Sequence, residues 1–441
     1  MGQRVTTKGA LVVCVASLTL GGCIGTGEGG GEVSRFLAKS PDAAASAEAT
    51  ARQKEAANSQ IITALQARRS VLPVGSAFDR VAQPVLAANS RAAEADLQSA
   101  RLRAKAASKN WLPQIGPRIS LSSLSDVVTQ ILVEQVLFDN GRKKAERAFA
   151  AADVEAAAVL LADDTNQRVL TALGLYLAAA EARERVALEG RTLKDMQHFE
   201  WIMNERVEGG VSDMSDLNII RSKLAEIRAT LAAQQEAAST ALAELNAMSV
   251  EPLNMVDGLT DIQISADAAQ PLDVMLAEAE MTRDIAEAKI ARAGFLPGVK
   301  ASGALGDDGS GLGVNVGTDE LLGLGTGSSI KAIEAEKEAA SRRVAQTQED
   351  TDRQLRRLEQ RHSALARQVG EANTLTAQAK ANLDLFQQQY DGGQRQVMDV
   401  VGVYETFAAR QTAAVGLKYE LALTRLEMAQ VLGLLADGSQ I

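Results

Sequence analysis

The chain has 441 residues, of which 46% are hydrophobic but only 3% are aromatic. This aromatic content is too low for several ordinary globular cores, and the helical-looking segments are rich in Ala, Leu, Glu, Gln, Arg and Lys, a mixture typical of long, closely packed helices. The formal net charge of −10 argues against nucleic acid as a partner.

The first 22 residues have the pattern of a secretory signal peptide. A short basic region precedes an apolar run from Ala10 to Leu20, which is too short to cross a bilayer. Leu-Gly-Gly before Cys23 resembles the bacterial lipobox, in which the cysteine becomes the first mature residue and carries the lipid, so we expect a lipoprotein bearing palmitate. The alternative is an ordinary cysteine near a conventional cleavage site. Ile24, by resemblance to sorted lipoproteins, favours the outer membrane.

Residues 23–76 are polar and Ala-rich, and proline interrupts them twice. We interpret them as a lipid tether and N-terminal segment, with the first regular helix beginning near Ala77. No later stretch has about 18 consecutive apolar residues, so the sequence predicts no transmembrane helix.

Two halves of the remaining chain have the same pattern. Trp111-Leu112-Pro113 and Phe295-Leu296-Pro297 place their prolines 184 positions apart. Two Gly-Gly pairs, Gly209-Gly210 and Gly392-Gly393, are 183 positions apart. A shift that repeats within one residue indicates a tandem duplication, which we divide into repeats 77–250 and 251–441.

Each repeat reads as a helix, a β-hairpin and a helical hairpin. Proline ends the first helix, and the alternation of apolar and polar residues predicts β-hairpins over 116–138 and 298–317. Long helices are predicted at about 142–206 and 331–390, each on the order of 90–100 Å. The Gly-Gly turns at the tips then lead into returning helices. The last of these carries a coiled-coil-like stripe with three- and four-residue spacing, made of Val397, Val401, Tyr404, Ala408, Gln411, Val415 and Lys418.

The predicted fold class is mainly α with a small antiparallel β part. Four strands cannot close a barrel, but twelve strands from three chains can. The apolar face would meet lipid, and Arg118, Ser120, Lys300 and Asn315 would line water. Most of the strands are expected to be shorter than the ~9–11 residues that cross a membrane. Trp111 and Phe295 are predicted either in a membrane-interface girdle or in helix-end cores.

The duplicated layout resembles the TolC-like outer-membrane efflux family from about Ala77 to Gly433. The matching stretches are Trp111 to Ile115, Leu137 to Arg142, Arg206 to Leu217 and Tyr390 to Arg395 followed by Asp399. The resemblance implies a homotrimer with a β-barrel in the outer membrane and an α-helical barrel in the periplasm. The helical barrel would close like an iris at its tip.

The family's gate residues carry over to matching positions. Asp216 matches the acidic residue after the first turn, and Tyr390 and Arg395 match its bonding partners. Asp399 matches the first of two pore-ring aspartates, whereas the second falls on Gly402, which puts a double acidic ring in doubt. A carboxylate repeated by threefold symmetry favours cations.

Other residues at the tips have simpler explanations. Asp213 and Asp391 are weaker gate candidates, because turn chemistry and the helix dipole explain acids at such positions. The dipole argument also applies to Asp216. Ser212 is the expected N-cap of the helix after the first turn.

The sequence indicates no enzyme. His198 and His362 lie inside long helical tracts without metal-ligand spacing, and no phosphate-binding loop is present, so we expect no cofactor and no metal. The expected function is conduction of export substrates from an inner-membrane pump of the RND or ABC type, through a periplasmic adaptor. The alternatives are a type I protein-secretion duct and a lipid-tethered periplasmic coiled coil without a pore.

Overall fold

The computed structural model describes residues 59–88, 92–121, 127–265, 269–306 and 309–438. Cys23, the predicted signal peptide and residues 122–126, which fall within the hairpin predicted at 116–138, lie outside the described residues. The helices are α1 (Gln60–Gln66), α2 (Ala77–Ala87), α3 (Ala92–Ala107), α4 (Arg142–Glu208), α5 (Met214–Ala247), α6 (Leu272–Gly294), α7 (Thr326–Asp391) and α8 (Val397–Val431). The strands are β1 (Gln114–Leu121), β2 (Val127–Phe138), β3 (Gly298–Gly306) and β4 (Gly309–Gly317).

Four helices dominate the fold, and they form two matched hairpins. Helix α4 has 67 residues and α7 has 66, while the returning helices α5 and α8 have 34 and 35. The two longest helices each span about 100 Å at 1.5 Å per residue. Arg142 and Thr326, where α4 and α7 begin, are 184 positions apart. The fold is therefore mainly α, as predicted, and it repeats one order of elements.

The N-terminal part of the described chain is more than a tether. Helix α1 lies inside the segment that we expected to precede the first helix, and Ser59 Oγ caps it by accepting from the Ile62 amide (3.2 Å). Arg68 is buried, and its guanidinium donates to the carbonyls of Leu432 (2.7 Å) and Gln270 (2.6 Å). These bonds hold residues near the start of the described chain against the end of α8. The sequence pattern did not predict this long-range contact.

The start of α4 is set by a side-chain cap. Asp139 accepts from the backbone amides of Gly141 (3.1 Å) and Lys143 (2.6 Å). A carboxylate in this position satisfies amides that have no partner inside the helix and favours the positive end of its dipole. Asn140 adopts a positive φ of 55° and donates to the Pro297 carbonyl (2.9 Å). The stretch thus turns the chain from strand into helix and ties the first repeat to the second.

The four strands form one antiparallel sheet in the order β1-β2-β3-β4. The strands have 8, 12, 9 and 9 residues, so the expectation that most of them fall below nine residues was wrong. The reason is that glycine- and serine-rich stretches continue the backbone ladder although they bury little apolar surface. Strands β1 and β4 lie at the two ends of the sheet, and each has one edge without a partner strand in this sheet.

The two faces of the sheet differ in polarity. The register pairs Arg118 with Gln130 and Lys300 with Asn315, and the Asn315 amide donates to Ser302 Oγ (3.2 Å), which places these side chains on one face. The side chain of Ser120 is outside the described ones. The opposite face carries the exposed residues Ile115, Ile119, Ile131, Leu305, Leu312, Val314 and Val316. Alternation along each strand produces this separation.

Candidate functional site: the helical tips and the helix pair behind them

The two tip turns have the same backbone structure. Gly209 and Gly392 end α4 and α7 with similar φ angles of −76° and −79°, and Gly210 and Gly393 follow with positive φ angles of 71° and 73°. The amide after each Gly-Gly pair donates 2.8 Å back to the carbonyl five residues earlier. This is the Schellman arrangement, in which a residue with positive φ, usually glycine, ends a helix.

The same two positions form a side-chain bond at each tip, but the donor and acceptor are exchanged. At the first tip Arg206 Nε donates to Ser212 Oγ (3.1 Å). At the second tip Arg395 Nε donates to Gln389 Oε1 (3.0 Å). A shift of 183 residues places Arg206 on Gln389 and Ser212 on Arg395. The Ser212 hydroxyl therefore accepts from Arg206 and does not cap α5. The N-cap of α5 is Asp213 instead of the expected Ser212.

The predicted gate acids Asp216 and Asp399 occupy equivalent positions, the third residue of α5 and of α8. Asp399 and Gln396 form a reciprocal capping box, in which the Asp399 carboxylate accepts from the Gln396 amide (3.2 Å). Asp216 is half-buried, whereas Asp399 is exposed. In the single chain the Asp399 carboxylate therefore serves the start of its own helix.

The predicted partners of these acids make local contacts in the single chain. Arg395 is exposed, and its guanidinium lies 4.4 Å from the centre of the Phe386 ring. Tyr390 is half-buried against the core beneath the tips. Asp213 and Asp391 are exposed. The structure thus brings the candidates to the same pair of turns, with Arg395 held by its own hairpin.

A hydrophobic core beneath the tips joins the two hairpins. Phe199 of α4 contacts Tyr404 of α8 edge-on with ring centres 6.0 Å apart, and Tyr404 contacts Phe407 in the same way. The other members from α4, α5, α7 and α8 are Met196, Met203, Leu217, Ile220, Leu224, Leu383, Val397, Val400 and Val401. This cluster packs all four long helices together just behind the two turns.

Polar bonds link α4 to α8 along the same seam. The Tyr404 hydroxyl donates to Asp195 Oδ2 (2.6 Å), and Glu184 Oε2 accepts from Lys418 Nζ (2.6 Å) and from the Tyr419 hydroxyl (2.9 Å). Burial, followed by the bonded carboxylate, raises the pKa of both tyrosine hydroxyls. Tyr404 and Lys418 belong to the stripe that the sequence predicts in the last helix. Their partners were missed, because the pattern of one helix does not identify the helix packed against it.

Half-buried charged side chains are a second feature of this seam. Burial is the main reason that the pKa values of Glu181 and Glu189 are raised, and the nearby Arg185 opposes both shifts. Arg185 pairs with Glu181 (2.6 Å), while its Nε is buried without a hydrogen-bond partner. The middle of α4 therefore holds carboxylates whose charged forms are poorly solvated.

The two histidines make ordinary contacts. The His198 ring stacks near the exposed Trp201 with centres 6.0 Å apart, and His362 Nε2 accepts from Arg425 Nε (2.9 Å). Burial and Arg425 lower the pKa of His362. In the part of the chain that the structure describes, no cluster of three or more His, Cys, Asp or Glu side chains is arranged to hold a metal ion.

Trp111 and Phe295, the two aromatic residues predicted in either a membrane-interface girdle or helix-end cores, lie where helices meet strands. Trp111 is 59% exposed, so the single chain does not place it in a helix-end core, whereas Phe295 is half-buried.

None of the described helices combines the length and the apolar content needed to cross a membrane.

Comparisons with known proteins show a likeness in fold but not in sequence. No family model matches the chain, and no curated protein matches its sequence. The structure is similar to the outer-membrane protein VceC of Vibrio cholerae, with a TM-score of 0.69 and 17% identity over 81% of this chain and 96% of that one. It is also similar to the CmeC outer-membrane channel of Campylobacter jejuni, with a TM-score of 0.68 and 13% identity over 82% and 88% of the two chains.

A third solved structure extends this likeness to a channel in its open state. The MtrE outer-membrane channel of Neisseria gonorrhoeae matches with a TM-score of 0.66 and 15% identity over 82% of this chain and 91% of that one. The chain therefore has the fold of these outer-membrane channels. The predicted resemblance to TolC-like proteins is confirmed at the level of the fold.

Proposed function

We propose that this chain, which has the fold of outer-membrane channels, forms a homotrimeric export duct. The sheet would sit in the outer membrane, and the long helices would extend into the periplasm. Substrates would arrive from an inner-membrane pump of the RND or ABC type through a periplasmic adaptor. The lipid on Cys23 would add an anchor in the same membrane.

The observation that carries the proposal is the two-faced sheet with unpaired edges. Its apolar face is exposed in the single chain, with Leu312 96% and Ile115 72% accessible to solvent. An apolar surface of this extent marks a contact with another chain or with lipid. The edges of β1 and β4 expose backbone groups that must be paired inside a membrane. Closure of three sheets into twelve strands satisfies both requirements.

The proposed gate lies at the opposite end of the long helices. Three copies of Asp399 would form a negative ring around the duct axis, which would favour cations. When the iris is closed, Tyr390 and Arg395 would bond to Asp216 on a neighbouring helix. For Arg395 this bond would replace its local contacts in the single chain. Asp213 and Asp391 are secondary candidates that also serve the turns. Gly402 supplies no second ring, so we expect a shorter acidic constriction.

Engineered disulfides test whether three chains close one barrel. Cysteine pairs combine one position on β1 (Ile115→Cys or Ile119→Cys) with one on β4 (Val314→Cys or Val316→Cys), so that each chain can bond to two neighbours. We expect oxidation to give covalent trimers on denaturing gels for the pairs that match the register. As a matched control, Ile131→Cys replaces the β1 cysteine in the same pairs with β4, since Ile131 lies on the same exposed face but on the central strand β2. It should give no trimers.

The result that would contradict the proposal is equally specific. If no cysteine pair gives covalent trimers, although the purified protein is folded and embedded in lipid, the twelve-stranded barrel is rejected. The tethered coiled coil would then be the better account.

A further inference from the structure

The linker between β4 and α7 exposes three leucines. Leu321 is 94% exposed, Leu322 is 64% exposed, and Leu324 is fully exposed at 110% of the reference value. Single exposed leucines are common, but three within four residues form a contiguous apolar segment that calls for a partner. The duct proposed above assigns no role to this linker.

The base of the linker is fixed to its surroundings. Asp319 accepts from Lys300 Nζ (2.8 Å) and is also paired with Arg142, at the start of α4. The Glu320 amide donates to the Gly294 carbonyl at the end of α6 (3.0 Å). Three elements therefore hold the linker at the junction between the helices and the sheet, so the leucines begin at a defined level of the molecule.

The duplication places apolar pairs at the equivalent junctions. The shift of 184 residues between the starts of α4 and α7 matches Leu321 and Leu322 with Leu137 and Phe138, which are 59% and 56% exposed. The same shift matches Trp111-Leu112 with Phe295-Leu296. We name the exposed members of this set the junction belt: Trp111, Leu112, Leu137, Phe138, Leu296, Leu321, Leu322 and Leu324.

Exposed basic side chains lie on the helix ends next to the junction belt. Lys105 and Lys109 stand at and just beyond the end of α3. Lys289 and Arg292 lie in the last two turns of α6, where Arg292 is paired with Glu334 (3.1 Å). Lys144 lies in the first turn of α4. Apolar residues bordered by lysine and arginine suit a membrane interface, where the apolar groups enter the acyl region and the cations meet lipid phosphates.

We infer that the leucine linker inserts Leu321, Leu322 and Leu324 into the phospholipid surface on the periplasmic side of the outer membrane. The inference rests on the proposed duct, because it needs the sheet to lie in that membrane. Phospholipid is the occupant because the junction belt continues the exposed apolar face of the sheet, represented by Val314 and Val316 on the strand before the linker. The linker thus adds an interfacial anchor in each copy, independent of the lipid on Cys23.

Tryptophan fluorescence with brominated lipid tests this contact in the intact trimer. The chain has two tryptophans, Trp111 and Trp201. The test protein carries Trp111→Phe, Trp201→Phe and Leu322→Trp, and Leu324→Trp serves as a second reporter. The matched control keeps Trp201 alone, which lies near the tip end of α4 and is 60% exposed. Each trimer is placed in phosphatidylethanolamine–phosphatidylglycerol vesicles with or without lipid brominated at carbons 6 and 7.

The expected result is selective quenching. The reporter at 322 should lose about half of its emission in brominated vesicles, as a side chain seated about 5–10 Å into the interface would. Trp201 should keep its emission in both kinds of vesicle. Aqueous iodide should quench Trp201 but not the reporter at 322.

Two results would overturn the inference. Reporters at 322 and 324 that iodide quenches and bromine does not would place the linker in water. Reporters shielded from both quenchers would show that a neighbouring copy covers it. Single-channel conductance of the same trimers separates these failures from failure of the duct. Conductance without bromine quenching rejects the anchor alone. Bromine quenching without conductance, even when Tyr390→Phe and Arg395→Ala are added to loosen the iris, rejects the duct alone.

Discussion

At the scale of single residues, the most informative bond is the one between Tyr404 and Asp195. It joins α8 to α4 at 2.6 Å, beside an aromatic core that includes Phe199. The sequence predicted Tyr404 as part of a packing stripe, but Asp195 lies 209 positions away. A hydrogen-bond partner at that separation depends on tertiary packing, which local periodicity does not encode.

We expect Tyr404→Phe to lower the free energy of unfolding by about 1–2 kcal/mol, as loss of a hydrogen bond to a charged acceptor does. Urea or thermal unfolding measures this change. The double variant Tyr404→Phe with Asp195→Ala should lose less than the sum of the losses of the two single variants, because the two groups share one bond and either single variant removes it. Fully additive losses would show that the bond contributes nothing to stability.

Asp399 combines two roles that substitution can separate. Asp399→Asn keeps an oxygen that caps the start of α8 but removes the charge, whereas Asp399→Ala removes both. We expect both variants to reduce the cation selectivity of the duct, and only the alanine variant to lose about 1 kcal/mol of stability. Selectivity is read from reversal potentials in a salt gradient. Selectivity that falls in neither variant would leave Asp399 with the capping role alone.

Glu189 gives a pH dependence of defined sign. Its pKa is raised above the ordinary value of 4.5 mainly by burial, so the folded chain holds the proton more tightly than the unfolded chain. The tighter proton binding adds to the free energy of unfolding. This addition is complete below pH 4.5, where the carboxyl is protonated in both states, and is lost as the pH rises through the folded pKa. At neutral pH, the charged carboxylate in the fold is therefore a destabilising feature.

We accordingly expect Glu189→Gln to raise the melting temperature at pH 7, by an amount that shrinks as the pH falls towards 4.5. Thermal unfolding across this range measures the difference. Glu226→Gln, at an exposed position on α5, is the matched control and should change little at any pH. A Glu189 variant less stable than the parent at pH 7 would contradict the assignment.

At the scale of elements, the sequence located the helix ends well. The tract predicted at 142–206 is α4 at Arg142–Glu208, and the Gly-Gly pairs are the turns. Glycine and proline act through the backbone of their own neighbourhood, so a local pattern is sufficient. Helix α7 begins at Thr326, five residues before the predicted start at 331, because the glycine- and serine-rich residues there form its first turn.

The tip glycines give a matched pair for testing. Gly393 has a φ of 73°, a conformation that L side chains rarely adopt, whereas Gly392 has a φ of −79° and 3.5 Å between an added Cβ and its nearest neighbour. We expect Gly393→Ala to lower the free energy of unfolding by about 1 kcal/mol and Gly392→Ala to be close to neutral. Equal effects in denaturant melts would refute the need for positive φ at this turn.

At the scale of the whole molecule, the pairing of helices was beyond the sequence. The four long helices pack in the order α5, α4, α8 and α7, and α4 joins the two repeats by contacting both α8 and α6. The burial of Arg68 against Leu432 likewise joins residues 364 positions apart. Such contacts depend on which apolar helix faces pack together. Several faces of these helices have a similar Ala- and Leu-rich composition, so the sequence does not identify the partner of each face. The duplication and the two-faced sheet, by contrast, could be predicted from repeated motifs and from the alternation of apolar and polar residues, without knowing which helices pack together.

The central claim is that three copies form a gated conduit. The most direct measurement is single-channel conductance of the purified trimer in a planar bilayer, with Asp399→Asn compared to the parent protein. The account predicts discrete, small, cation-selective currents, with lower selectivity in the variant. Well-folded trimers that conduct no ions, even when Tyr390→Phe and Arg395→Ala are combined to loosen the iris, would contradict it.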